Sequence, residues 1–502
     1  MSNTANTISQ EQVGLLKQKK TEIDSNARLN KPLKRIVLDD ESKVVFVIIL
    51  FSQLFLSNGF YLFACLLTLY LVFYYLQQPL KPGVFTLIAL NHLLQITTGV
   101  LQANYAEKDI NFRSPHMADA TLASLVGIGF MFLPIIYYQK KLPSLSLNDL
   151  KKAANKLSIG NTFNCYLGSF FATSFLSSIA FVFGGFTQVI ISLVNIKWFF
   201  FLLFGYQSLL KNEKRTQFYL FVILEFVTSF FSFFSNFKLV IYFLIVLLLG
   251  LTQVINLKRL IFGSLITGGL VLFALVWTNI KTKYRSFING GSTEQIVSVS
   301  NEAALTKIYN LSTGVNEDSL NSSIYQLLDR LQYTYHFAKT IERVPSAIPF
   351  TNGKNWMDNI EFVTTPRILN PNKPSLDATE KTKKYTGLAY IGRSGGASFS
   401  LGYFAECYID FGFMGMMFPL FCIGVLYGYT YWYFMRKSSN NFIFNYSVVG
   451  AFFLEFFAFE MDGTFLLGRF LSSLVTFLVL KRFFFPWVLN YITIPEPKKL
   501  NT

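Results

Sequence analysis

The chemistry this chain offers most densely is cationic. The stretch Thr365-Pro366-Arg367-Ile368-Leu369-Asn370-Pro371-Asn372-Lys373-Pro374 sets an arginine and a lysine among prolines. Each proline fixes φ and removes an amide donor, so the backbone is held before any ligand arrives. A guanidinium fork binds two phosphate oxygens at once, and a lysine ammonium adds a point charge. An enzyme that holds a diphosphate at a membrane surface needs that combination. The plainer alternative is a proline-stiffened loop whose cations are solvated or paired with carboxylates.

Other chemistry is sparse. The only histidines are His92, His116 and His336, and there is no P-loop, HExxH or GxGxxG motif. No metal site and no cofactor is expected. Cys65, Cys165 and Cys422 lie in apolar runs and Cys407 at the mouth of another, without CxxC spacing, so no disulfide framework is expected either. Charges within apolar stretches cost several kcal/mol unless paired or hydrated, and by default they mark function. Glu455, Glu460, Asp462 and Arg469 cluster near the last turn, and Lys197 and Glu225 lie in earlier spans. Arg469 with Glu460 or Asp462 either clamps two helices or lines a substrate cavity; both readings stand. Tyr403 and Trp356 are candidate sugar platforms.

The elements that position these residues are membrane helices. The 502 residues are 52% hydrophobic and 14% charged, against about 25% charged in ordinary soluble domains. A bilayer suits such a surface. The net charge of +16 falls in short clusters between apolar runs, a pattern that orients a membrane protein and does not read nucleic acid.

Spanning takes about 20 mostly apolar residues. On that rule helices are expected at 44–56, 60–76, 84–102, 119–138, 163–183, 189–210, 217–235, 239–255, 260–279, 411–435, 442–460 and 465–488. The fold class is an all-α polytopic membrane protein of about twelve transmembrane helices. With the N-terminus inside, alternate loops hold Lys81, Lys140, Lys141, Lys151, Lys152, Lys156, Lys211, Lys214, Arg215, Lys258, Arg259, Arg436 and Lys437. The short outer loops hold only Lys108, Arg113 and Lys238. That asymmetry places both termini in the cytoplasm. The chain divides into a polar cytoplasmic tail (1–43), nine helices (44–279), a large extracytoplasmic loop (280–410), three helices (411–488) and a cytoplasmic tail (489–502). Within the loop, Ser323 to Val344 has apolar residues at roughly helical period and stops at Pro345, which predicts one amphipathic helix. Gly, Pro and Lys-rich turns follow up to Gly402.

The order Asp329-Arg330-Leu331, Val344-Pro345, Gly353, Pro366-Arg367 and Asn372-Lys373-Pro374 resembles the large outer loop of bacterial Wzy-type polymerases, which join O-antigen or exopolysaccharide repeat units. Ser400-Leu401-Gly402-Tyr403-Phe404-Ala405-Glu406-Cys407-Tyr408-Ile409-Asp410-Phe411-Gly412 resembles that family's return to the membrane, where a Glu precedes a Phe-Gly pair opening the next helix. The resemblance covers about residues 325–415 and the overall topology. Members often carry functional arginines in two outer loops. Here the other arginine-bearing loop, 103–118, holds Arg113 and His116.

The resemblance implies a glycosyltransferase of the bacterial cytoplasmic membrane. A glycan on undecaprenyl diphosphate passes to a hydroxyl of a fresh lipid-linked repeat unit, without a nucleotide sugar or a divalent metal. Cations placed around the diphosphate favour the transition state as negative charge grows there. On this reading Arg367, Arg330 and Lys373 form the diphosphate cradle and Glu406 is the proton acceptor. Arg113, Arg469 and His336 are further substrate contacts. A chain-length regulator and a repeat-unit flippase are the implied partners. Asp410, by contrast, suits the start of the following helix, where an acid favours the dipole. The rival readings are an O-antigen ligase, in which a loop histidine accompanies arginines, a transporter, and a non-catalytic membrane subunit.

Overall fold

The computed structural model describes residues 32, 33, 35–179, 187–231, 237–291, 297–365, 370, 373, 378–390, 399–456 and 458–495. The described chain is almost wholly helical. Helix occupies most of the described part of every apolar window predicted above, from Asp40–Ser52 to Gly463–Val479, although the window 239–255 ends in the strand Val254–Ile255. Among the described residues, six helices are long and apolar enough to cross a membrane, or seven if the bent pair Tyr403–Gly415 and Met417–Lys437 counts as one span. The shorter apolar helices, such as the 14-residue Phe237–Gly250, reach about 21 Å at 1.5 Å per residue, short of a bilayer core. The outer surface of the bundle is strongly apolar. On the Leu257–Ile288 helix Phe262 is 65% exposed and Leu265 70% exposed. In water such faces would aggregate; hydrocarbon solvates them without cost.

Connecting segments meet at two separate ends of the bundle. At one end Val37–Leu38 pairs in parallel with Val254–Ile255, and the Lys81 ammonium donates to the Gln139 carbonyl at 3.1 Å. There too the Asn441 amide donates to the Ala153 carbonyl at 2.8 Å and Ile494 N–H to the Lys156 carbonyl at 2.9 Å. At the other end the Asn58 amide donates to Asn104 at 2.7 Å. Tyr333 N–H reaches the Gln95 carbonyl at 3.3 Å and Tyr403 N–H the Met461 carbonyl at 2.8 Å. The first end gathers segments predicted to be cytoplasmic, and the second gathers those predicted to be outside.

The tightest helix packing lies between Met117–Lys140 and Met417–Lys437. A Cβ on Gly424 would stand 2.0 Å from the Met131 carbonyl oxygen, and one on Gly428 3.0 Å from the Ile135 Cα. Small residues let backbones approach this closely, and backbone atoms cannot swing aside as side chains can. Gly424→Ala should therefore cost about 1–3 kcal/mol of overpacking, read as a lowered unfolding temperature in detergent. Gly129→Ala, where nothing lies within 4 Å of the added carbon, should leave that temperature unchanged.

The outer loop departs from the sequence expectation in three ways. First, the single amphipathic helix is two, Glu317–Leu331 and Thr334–Arg343. They part at Gln332–Tyr333 because Tyr333 N–H is taken by the Gln95 carbonyl and the Gln332 side chain accepts Tyr335 N–H at 3.2 Å. Second, the stretch read as turns contains the helices Lys354–Thr364 and Ala378–Thr386. Third, the Phe411-Gly412 pair does not open a helix. Helix begins at Tyr403, and the chain bends by 117° before Met417–Lys437, with Gly412 at φ 65°. A side chain at Gly412 would be strained at that φ and would meet the Phe350 ring at 3.2 Å.

Candidate functional site

A cavity of about 560 Å³ opens between the bundle and the outer loop. Lys238 enters it from the start of Phe237–Gly250, Arg469 from Gly463–Val479, and Glu455, Glu460 and Asp462 from the turn between the last two helices. Trp198 and Phe465 complete an apolar floor. Glu455 accepts from the Asn195 amide at 2.7 Å and Glu460 from the Gln95 amide at 2.5 Å. Arg469 pairs with neither Glu460 nor Asp462 among the described residues. Of the two readings of Arg469, clamp or cavity wall, it stands as cavity wall.

Beside this cavity positive charge is concentrated. Arg330, on the last turn of Glu317–Leu331, stands within electrostatic reach of Lys238, Lys281 and Arg285. Lys281 and Arg285 are one turn apart on Leu257–Ile288, which docks on Glu317–Leu331 through the Asn279 amide, donating to the Ser319 carbonyl at 3.0 Å. Like charges gathered in this way destabilise the empty protein. Such strain is usual where a site must receive an anion. Lys281 and Arg285 were missed in the sequence because they fall at the seam of span and loop. They become neighbours of Arg330 only through that docking.

Glu406 proves to be a buried strut. Its side chain is fully inaccessible and pairs with Lys381 at 3.2 Å. It also accepts from the Asn359 amide at 2.7 Å, from Asn355 at 3.4 Å and from Gly463 N–H at 3.2 Å. Lys381, itself unsuspected from sequence, donates further to the Asn359 side-chain oxygen Oδ1 at 3.0 Å. One carboxylate thus ties Lys354–Thr364, Ala378–Thr386, Tyr403–Gly415 and Gly463–Val479 together. A group so enclosed does not meet an acceptor hydroxyl, and the expectation that Glu406 takes the proton is not favoured by this geometry.

Asp410 also serves a helix N-terminus, though not the one expected. It accepts Asn355 N–H at 3.1 Å and Trp356 N–H at 2.9 Å, capping Lys354–Thr364 from a neighbouring helix. Trp356 and Tyr403, the suggested sugar platforms, are both buried. Tyr403 donates to His92 Nε2 at 2.5 Å, while His92 Nδ1–H donates to the Ile88 carbonyl at 2.7 Å. Lys197 and Glu225 pair at 3.0 Å, with the Tyr166 hydroxyl on the same carboxylate at 2.9 Å. Their intramembrane charges are explained by each other.

The remaining sequence candidates scatter. Arg367 lies outside the described residues. Lys373 donates to the Thr365 carbonyl at 2.8 Å and lies 3.8 Å over the Phe362 ring, beside a separate hollow of about 300 Å³. Arg113 is ion-paired with Asp329 and lies 4.3 Å over the Tyr335 ring, in another hollow of about 360 Å³. It fastens the 103–118 loop to the large loop. Among the described residues, Arg469 is the predicted cation that lines the main cavity, and Arg330 lies within electrostatic reach of Lys238 on its wall.

His336 is 9% exposed, stacked on Tyr333 at 4.7 Å and bonded to the Tyr390 hydroxyl at 2.7 Å. Burial, opposed by Asp329 and aided by Arg113, pulls its imidazole down to about 4. The unfolded chain binds this proton near pH 6.5, so the stabilisation is full above about 6.5 and is lost as pH falls towards 4. The loss should approach about 3 kcal/mol. Unfolding temperatures in detergent between pH 7 and 4 should show it, and His336→Gln should flatten that slope.

Among curated proteins and among solved structures, nothing matches the chain. A family model does, over residues 146–485, which include the cavity, its cations and the Glu406 strut. That match spans well over half of the sequence, and the chain belongs to the family described as Domain of unknown function (DUF8712).

Proposed function

We propose that this chain is a multi-pass glycosyltransferase of the bacterial inner membrane that polymerises polyprenyl-diphosphate-linked oligosaccharide repeat units. The observation that carries the reading is the cavity between bundle and outer loop. Lys238 and Arg469 stand on its wall, and Arg330 lies within electrostatic reach of Lys238. A leaving diphosphate needs preplaced cations where water is scarce. An acceptor hydroxyl needs a carboxylate within reach, and Glu455, Glu460 and Asp462 face the same space. The two sets of contacts at the bundle ends support a twelve-helix path with both termini inside. In that path the shorter apolar helices cross with the help of their flanking residues or a thinned bilayer.

The test is the glycan ladder of a polymerase-null host given this chain together with its own repeat unit. A ladder of long chains is expected. Single units only, with lipid-linked units shown to be present on the outer face, would sink the reading. A ligase would transfer those single units to an outer acceptor and leave no ladder. The buried state of His336 gives no support to that alternative.

A further inference from the structure

We propose that Asp462 is the carboxylate that takes the proton of the attacking hydroxyl, held in place from behind by Glu406 and Lys381. The inference rests on the polymerase reading and names the proton acceptor for it. Two carboxylates share the start of Gly463–Val479. Glu406 accepts Gly463 N–H at 3.2 Å and Asp462, the N-cap, accepts Phe465 N–H at 2.8 Å. Their positions are not equivalent. Glu406 is enclosed by Asn355, Asn359 and Lys381, whereas Asp462 lines the 560 Å³ cavity that Lys238 and Arg469 also line. Asp462 is itself only 2% exposed, but that edge borders the cavity and can meet substrate there, whereas Glu406 behind it is fully inaccessible and sets its position.

Gly463 is what allows this approach. A Cβ there would fall 2.5 Å from the Asn359 amide and 2.7 Å from the Glu406 carboxylate. Burial first, and the Glu406 charge second, raise the Asp462 carboxyl above the ordinary aspartate range, while Phe465 N–H and the Lys381 charge oppose them. Tyr333 and, on the walls of the same cavity, Lys238, Glu455, Glu460 and Arg469 are the other titratable groups around it. A base raised towards the working pH is a better proton acceptor than an ordinary aspartate.

The step balances as follows. The hydroxyl oxygen of the incoming unit forms a bond to the donor's anomeric carbon. The bond from that carbon to the diphosphate oxygen breaks, and its electron pair leaves with the polyprenyl diphosphate. The hydroxyl proton passes to Asp462 and then to solvent.

The decisive variant is Asp462→Asn. Asparagine caps helices as well as aspartate, so the fold is kept while the base is removed. In the polymerase-null host the ladder should collapse, and with purified full-length chain and the same lipid-linked repeat unit the rate should fall at least about 100-fold. Asp462→Glu should recover part of that rate. The wild-type rate should decline in acid along a limb that Asp462→Asn lacks. A wild-type ladder from Asp462→Asn, or loss of the ladder in Glu460→Gln while Asp462→Asn keeps it, would overturn the assignment. If normally folded wild type makes no polymer at all, the functional reading fails and takes this inference with it.

Discussion

Glu406→Ala should lower the unfolding free energy by about 3 kcal/mol, whatever reaction the chain performs. Removing one partner of a buried ion pair costs about 3–5 kcal/mol, because the other charge and its hydrogen-bonding neighbours are left uncompensated. Here those neighbours are Lys381, the Asn355 and Asn359 amides and Gly463 N–H. The lower end of the range applies, since the Lys381 side chain is 25% exposed and can turn to water. Glu406→Gln should cost less, because an amide oxygen still accepts from Asn359 and Gly463. Replacing Lys381 by Met should hurt Glu406→Ala less than it hurts wild type, which a double-mutant cycle of unfolding temperatures in detergent would read. If Glu406 were a solvent-facing base, the alanine variant would lose activity at an unchanged unfolding temperature. A large loss of stability separates the two roles.

Why Glu406 reads as a base from sequence and as a strut in the fold is a matter of distance along the chain. Membrane helices announce themselves within a single window of about 20 residues, so Val84–Tyr105 or Met117–Lys140 can be placed to within a few residues. The outer loop carries its information differently. The break at Gln332 depends on the Gln95 carbonyl, and the Asp410 carboxylate caps a helix that precedes it by about fifty residues in sequence. No local period encodes either contact. The same holds for the site. Arg330 and Arg469 stand out as charges beside apolar runs, but Lys281 and Arg285 look like the ordinary basic end of a span. Lys381 looks like one of several loop lysines. Their roles arise only when helices far apart in sequence are packed together.

Arg330→Ala should reduce polymer formation by up to about 100-fold, short of the full cost of a preplaced charge contact in a water-poor site, because Arg330 is exposed in the ligand-free chain. The same substitution should leave the unfolding temperature of the ligand-free chain unchanged or raised. Arg330 makes no ion pair among the described residues and stands within reach of Lys238, Lys281 and Arg285. Its removal therefore relieves repulsion among these cations, which Glu460 already offsets in part at Lys238 and a bound anion would offset further. Stability sacrificed at a functional site is regained when the site is dismantled. Lys373→Ala should behave in the opposite way. Its ammonium lies over the Phe362 ring and on the Thr365 carbonyl at the end of Lys354–Thr364, where a cation favours the helix dipole by about 0.3–1 kcal/mol. Truncating it should lower the unfolding temperature slightly and leave the ladder intact. Two cations that looked alike in sequence would then divide, one supporting the loop and one receiving the diphosphate. Equal effects of both substitutions on polymer, at equal protein levels, would show that the cavity rim has no special claim on the anion.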